Sequence, residues 1–497
     1  MNSLRHFALG EPLSQSPHSI AGSLPTLEDV CGYEEKDPRV LSAMKVGYPR
    51  FTLHPYVRRL TDFFLKSEGL TDRFGLLVAN QNAATDLLRH VGSEASFVEV
   101  DAGLQLIYCN ADNSSLVQKI SKYRQHVGCG VSSRQAEALL VELGLFSESY
   151  TEELYLENGQ AEVTKKLATL YGCDQEDVWL CASGMNAFYT GFRAVQKVQR
   201  DLKRNRWLQL GWLYLDSGCV LRTFLEEDET LESHYNIMDT DAVIDHLNSL
   251  GSQLAGVVVE CPTNPLVQVC DLAKISAAVH KNGGLLIVDP TVASIYNMDV
   301  LPYADVLVTS LTKYAAHEGD IMIGSLALNI KSEHYGALKS NLAEFHIQPY
   351  SGDLQRLAYE MQSAEQVVSQ MNANALKLVE FLQSHPSVSA VHFAAASPYH
   401  EQYARSPSNG GSMISIELVN SITAFYDKIA VMKGPSFGTQ TTLLSPFMYL
   451  AHYDLVTQEK GRAFLKEVGI SPELIRISVG IEPYDAIEAA FAKALDT

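Results

Sequence analysis

The sequence has no apolar run near the roughly 20 residues that a bilayer-spanning helix requires, which excludes a membrane-spanning helix. The first twenty residues, MNSLRHFALGEPLSQSPHSI, lack a continuous apolar stretch, so a secretory signal is not expected. Their serines and few basic residues leave a transit peptide as the alternative. Positive charge is scarce: 38 Lys and Arg stand against 58 Asp and Glu, a formal net charge of −20. Nucleic acid and anionic membranes both call for a basic surface, so neither is an expected partner. No Cys-x-x-Cys pair occurs among the eight cysteines, and no histidine cluster stands beside them. We therefore expect no metal site and no disulfide framework, and reduced thiols in a cytoplasmic protein.

What is present is ordinary globular composition, 46% hydrophobic and 19% charged, over 497 residues. That length allows two to four domains. Residues 1–25, rich in Ser, Pro and His, read as a flexible arm, and 26–150 as mixed α/β without a chemical motif. From about 160 to 350 helical patterns alternate with short apolar runs: VWLCA, WLYLD, AGVVVE, GLLIVD and ADVLVTS. Such runs read as buried parallel strands with crossover helices between them. DLAKISAAVHKNGG reads as a helix stopped by Gly283–Gly284. A long amphipathic helix is expected over about 354–384, opening a smaller α+β domain with strands in GSMISIEL and LIRISVGI and a last helix in PYDAIEAAFAKAL. The expected divisions are 1–150, 151–350 and 351–497. Segment 47–91 also echoes the layout of 154–195.

In an open α/β sheet, ligands gather beyond the carboxyl ends of the strands. Polar or glycine-containing groups stand there in four places: Ser183-Gly184-Met185, Pro262-Thr263-Asn264-Pro265, Asp289, and Ser310-Leu311-Thr312-Lys313. A lysine closing an apolar strand is desolvated, which lowers its pKa and suits it to Schiff-base chemistry; taken alone, it could equally emerge into water. Asp289 could hold a protonated pyridine nitrogen or merely cap a turn. Gly184 and Met185 open a helix, whose N-terminal amides bind phosphate. Arg476, mid-strand among aliphatics, must meet an anion: a substrate carboxylate or an internal salt bridge.

In order and spacing these segments resemble the Cys/Met-metabolism enzymes of pyridoxal-phosphate fold type I: cystathionine γ-synthases, cystathionine and methionine γ-lyases and O-acylhomoserine sulfhydrylases. The resemblance rests on Ser183-Gly184-Met185, ECPTNPLVQVCDLAKISAAVHKNGGLLIVDPT (260–291), ADVLVTSLTKY (304–314), QSHPSVSAV (383–391) and LIRISVGIE (474–482). It implies a fold-type-I, aminotransferase-like α/β fold with a smaller C-terminal α+β domain, and pyridoxal 5'-phosphate as cofactor. It implies Lys313 as the Schiff-base lysine and proton shuttle, Asp289 at the pyridine nitrogen, and Ser310, Thr312 and the Gly184 and Met185 backbone at the phosphate. Tyr214 would stack on the ring; Asn264, Arg476 and Ser436 would meet the substrate.

The family's Tyr-x-Arg, which reaches a neighbouring subunit's phosphate, is Tyr155-Leu156-Glu157 at the expected place and lacks its arginine. Tyr48-Pro49-Arg50 keeps the spacing much earlier, so Tyr48 and Arg50 are the candidates for that role. Asp-Asn-Thr is Asp289-Pro290-Thr291, AAHEGDIMIG follows the lysine, and Thr441 stands where a glutamate is usual. The long, N-terminally extended cystathionine γ-synthases are the nearest likeness. The implied reaction is γ-replacement on an activated homoserine by a thiol such as cysteine. A γ-lyase, a sulfhydrylase and a catalytically inactive fold-type-I binding protein are the alternatives. Small amino acids are the implied substrates, and a homo-oligomeric dimer of dimers the implied assembly.

Overall fold

The structure, a computed structural model, describes residues 4–407 and 409–496. Three sheets organise it. The first is antiparallel, from β1 (Arg73–Val78), β2 (Ser96–Glu99) and β3 (Gln105–Asn110), in the order β1-β3-β2. The second contains β4 (Val178–Cys181), β5 (Arg206–Leu210), β6 (Thr230–His234), β7 (Leu254–Glu260), β8 (Leu285–Asp289), β9 (Val306–Ser310) and β10 (Gly324–Leu328), in the order β4-β10-β9-β8-β7-β5-β6. Neighbours from β9 through to β6 pair in parallel, and β10 runs antiparallel to both β9 and β4. The third holds β11 (Val388–Phe393), β12 (Met413–Leu418), β13 (Met432–Lys433), β14 (Leu443–Pro446) and β15 (Ile475–Ser478), in the order β11-β12-β15-β14-β13. This is the expected fold-type-I architecture, a mostly parallel α/β sheet followed by a smaller C-terminal domain.

The central strands are apolar on both faces because each face meets its own core. Val257 and Val259 of β7 and Leu286 and Val288 of β8 enter one hydrophobic cluster. Ala255, Val258, Leu285 and Ile287 enter the other. Helices cover both sides, so no face needs polar residues.

Several local expectations are corrected. WLYLD is not a strand: β5 is the preceding RWLQL, Gly211 turns the chain at φ +68°, and the helix Leu215–Phe224 begins inside WLYLD. The amphipathic stretch over 354–384 is two helices, Ser351–Glu360 and Ala364–Ser384. They part where the Glu360 carbonyl accepts hydrogen bonds from His317 Nε2 (3.2 Å) and Ser363 Oγ (3.3 Å), side chains that draw it out of a continuous ladder. The arm is no loose tail over its described part: Ile20, Ala21, Ser23 and Leu24 are buried, and Leu24 N donates to the Lys433 carbonyl at 2.9 Å. Residues 1–3 of that expected arm lie outside the described residues. The echo between 47–91 and 154–195 is a shared helix–strand–helix layout, 55–67, 73–78 and 81–91 against 159–171, 178–181 and 184–201.

Candidate functional site

One cavity collects Gly184, Met185, Tyr214, Asn264, Asp289, Ser310, Lys313, Ser436, Arg476, Tyr48 and Arg50 in its wall. The body of the protein delivers its share from chain ends of regular elements. Ser183 caps the helix Gly184–Asp201, its hydroxyl accepting from Asn186 N at 3.0 Å, so the first amides of an 18-residue helix face the cavity. A side chain at Gly184 would bring its Cβ to 2.7 Å from Ser310 Cβ, which is why glycine stands there. Thr312 is placed differently from expectation. It is buried outside the wall, and its hydroxyl is engaged by the backbone of Ile323, accepting from N at 3.2 Å and donating to O at 3.3 Å.

Asp289 ends β8. Burial pushes its carboxyl up to about 6, although Thr291 donates to it from its backbone N (2.8 Å) and its hydroxyl (2.5 Å). A buried carboxylate so placed gains most from a cation, as a protonated pyridine nitrogen would supply. Glu260, which ends β7, lies beside it. Burial and then the Asp289 charge hold Glu260 well above the ordinary carboxyl range. It accepts a hydrogen bond from Tyr214 N and so fixes the start of the Tyr214 wall. Sequence reasoning passed over Glu260, although it closes an aliphatic strand just as Asp289 does.

Lys313 Nζ lies 2.9 Å from Ser436 Oγ and 3.2 Å from Tyr48 Oη. Burial lowers its pKa; Tyr48 opposes that, and Arg50 and Arg476 reinforce it. Burial alone would raise the Tyr48 phenol, but Lys313 and Arg50 together bring it below its ordinary value. Ser436 sits at φ +90°, a strained conformation for a non-glycine residue, and this turn aims its hydroxyl at the lysine and its carbonyl at Arg476 Nη2 (3.1 Å). Arg476 also donates to Asn264 Oδ1 at 3.2 Å. Burial pushes its pKa down to about 10, and among the described residues it forms no salt bridge, so the cation is available to an anion from outside the chain.

Tyr48 and Arg50 arrive by another route, on the loop between the helices Pro38–Ala43 and Pro55–Ser67. Arg124 holds that loop, donating to the carbonyls of Pro49 (3.0 Å) and Arg50 (2.9 Å). Arg50 is buried, pairs with the carboxylate of Asp216, and donates to Tyr214 Oη (2.5 Å) and the Gln125 carbonyl (2.8 Å). Asp216 and Gln125 had no signal in the sequence. Glu157 is exposed and absent from the cavity wall. Tyr48 and Arg50 line the cavity of their own chain.

The group that fits this cavity carries a phosphate for the helix amides, Ser310 and Arg50, a ring nitrogen for Asp289, and a carbon that Lys313 can attack. Pyridoxal 5'-phosphate has all three. Comparison with known proteins leads to the same place. The L-2-amino-4-chloropent-4-enoate dechlorinase/desaturase of Streptantibioticus cattleyicolor is 33% identical over 98% of this chain and 97% of that protein. The cystathionine gamma-synthase of Neurospora crassa is 26% identical over 98% of each chain. The fold resembles a crystal structure of cystathionine gamma synthase from Xanthomonas oryzae pv. oryzae (TM-score 0.58, 22% identity, 68% of this chain and 86% of that one). It also resembles a methionine gamma lyase from Micromonospora echinospora (TM-score 0.55, 22% identity, 68% of this chain and 86% of that one). Residues 156–496 match the family model of the Cys/Met metabolism PLP-dependent enzyme, and this chain belongs to that family.

Proposed function

We propose that this enzyme expels a substituent from the γ-carbon of a small α-amino acid. The observation that carries this reading is the buried amine of Lys313, poised between Tyr48 Oη and Ser436 Oγ, beside an arginine with no carboxylate partner among the described residues. Arg476, Asn264 and the Ser436 backbone would hold the α-carboxylate and so bring Cα and Cβ under the lysine. Tyr48, with its lowered pKa, is suited to take a proton from the incoming ammonium group. Lys313, once released from the cofactor, would take the Cα proton, pass it on to the bound cofactor, and, neutral again, take one from Cβ, and the Cγ substituent would leave with its bonding electrons. Bound pyridoxal-phosphate supplies the electron sink for both proton removals.

The step after departure separates the rival readings. In γ-replacement a thiol such as cysteine adds at Cγ; the Neurospora relative is named for that class of product. In γ-elimination nothing adds, and the Streptantibioticus relative is named as a dechlorinase acting on an amino acid with chlorine at carbon 4. The relative of higher identity favours elimination here. The holoenzyme supplied with O-acetyl-L-homoserine checks this: water, substrate and enzyme should yield 2-oxobutanoate, ammonia and acetate, with cysteine adding little cystathionine. Cystathionine as the main product would establish γ-replacement, and no turnover of any γ-substituted amino acid would end the proposal. A dimer of dimers in the cytoplasm belongs to the same proposal, and light scattering of the holoenzyme tests the assembly. Among the described residues no helix is long and apolar enough to cross a membrane.

A further inference from the structure

The cavity wall contains three cations, Arg50, Lys313 and Arg476. Each has a task before the far end of a substrate is considered. Arg50 is paired with Asp216 at the phosphate side, Lys313 carries the cofactor, and Arg476 is the one free cation for an α-carboxylate. Among the described residues no fourth cation lines the cavity. The rest of the wall includes the apolar side chains of Phe51, Leu215, Phe447, Leu450 and Ala451 and the hydroxyl of Ser445. Ser445 lies opposite Arg476 in the pairing of β14 with β15, is 2% exposed, and its Oγ has no hydrogen-bond partner. A buried hydroxyl left unpartnered in a cavity wall is matched by a neutral polar atom of a ligand.

We infer that the γ-substituent of the substrate is uncharged, met by this apolar wall and by the Ser445 hydroxyl, and that Ser445 is a specificity-determining residue. A second carboxylate or a phosphate on the substrate, or the carboxylate of an incoming cysteine, would be buried there without a counter-ion, and burial of an unpaired charge opposes binding strongly. The acceptable class is a small amino acid whose γ-carbon bears a neutral ester, halogen or thioether group. This inference rests on the γ-carbon reading above and adds the charge of what that carbon bears.

The test uses a pair of amino acids that cannot react at Cγ. L-Norleucine and L-2-aminoadipate have the same backbone length and differ in a terminal methyl or carboxylate. Titrated into the holoenzyme and followed by the visible absorbance of the cofactor, L-2-aminoadipate should bind about 100-fold more weakly, the scale expected for an uncompensated buried charge. Leu450→Arg, at the half-buried edge of the cavity, should narrow that gap to about 10-fold or less by supplying the missing counter-ion. Ser445→Ala should leave L-norleucine affinity unchanged and lower kcat/KM for O-acetyl-L-homoserine about 10-fold, the loss of one hydrogen bond to a neutral acceptor. Equal affinity of the wild type for the two analogues would overturn the inference, as would a Ser445→Ala enzyme with wild-type kcat/KM. A large gap between the analogues without turnover of O-acetyl-L-homoserine would instead sustain the charge rule and overturn the γ-carbon reading.

Discussion

The body of the enzyme and its N-terminal region meet at one cavity but build their parts of it by different physics. The body places Asp289, Ser310 and Lys313 at or just beyond the ends of β8 and β9, where backbone pairing within the sheet fixes them. The N-terminal region places Tyr48 and Arg50 on a loop with no sheet behind it, held by the Arg124 guanidinium and the Asp216 carboxylate. Positions of the first kind tolerate neighbouring substitutions because many backbone bonds share the task. Those of the second kind depend on a few buried side chains, each of which can be removed singly.

Predictions follow that contrast, beginning with the largest effect. Lys313→Ala should leave the fold intact and reduce turnover on the order of 10⁴-fold or more. Borohydride treatment followed by mass spectrometry should find no cofactor fixed to the variant; a fixed adduct would place the attachment elsewhere. Asp289→Asn should lower kcat about 10²–10³-fold, by analogy with loss of one preorganised electrostatic group, while the sheet stays folded by circular dichroism. Arg50→Ala should weaken pyridoxal-phosphate binding by about 1.5–3 kcal/mol, the scale of a charge-assisted hydrogen bond, read by titration of the apoenzyme. Wild-type affinity in that variant would show that the loop serves structure alone. Arg124→Met touches no ligand, yet it frees the loop that carries Arg50. It should cost about 1 kcal/mol of cofactor affinity and lower the melting temperature, because two carbonyls lose their donor.

A separate effect concerns acid. Burial, with Arg134 and His54 adding to it, pushes His18 down to about 2, and burial likewise pushes His452 down to about 4. The folded-state value lies below the unfolded one for both, so only the unfolded chain takes up these protons as the pH falls through about 6.5. Each residue therefore removes up to about 1.4 kcal/mol of stability per pH unit below that point. For His452 the loss levels off near pH 4. His18 belongs to the N-terminal region and His452 to the body, so His18→Gln and His452→Gln should each flatten urea-melt midpoints measured between pH 6.5 and 4.5. A variant with an unchanged slope would mean that its histidine is protonated in the native protein.

Much of the body could be read directly. Aliphatic runs closed by Asp289 or Ser310 announce buried strands, and the family resemblance carried by the segments around Gly184, Asp289 and Lys313 implies the cofactor. The failures have physical causes. RWLQL was missed as β5 because Arg206 and Gln209 interrupt its apolar pattern, while WLYLD imitates a strand until Gly211 turns the chain before it. Thr312 carries the motif's letter, but its orientation is decided by the Ile323 backbone across the hairpin-like turn into β10, which is a tertiary fact. Arg124, Gln125 and Asp216 were invisible for the same reason: a residue that supports a loop from a distant helix has no local signature. Tyr48 and Arg50 were legible only as a three-residue spacing, and the fold is what brings them to Lys313.

The hydrogen bond from Lys313 to Tyr48 joins residues 265 positions apart, and the Leu24–Lys433 contact joins residues still further apart. A segment near residue 24 thus docks onto β13, part of the last of the three sheets in chain order. Closing loops of that span is slow, because the entropy is lost before the contacts form. During synthesis the apolar underside of the arm, Ile20, Ala21 and Leu24, has to wait for its partner surface, in the interval when multidomain chains are prone to aggregate.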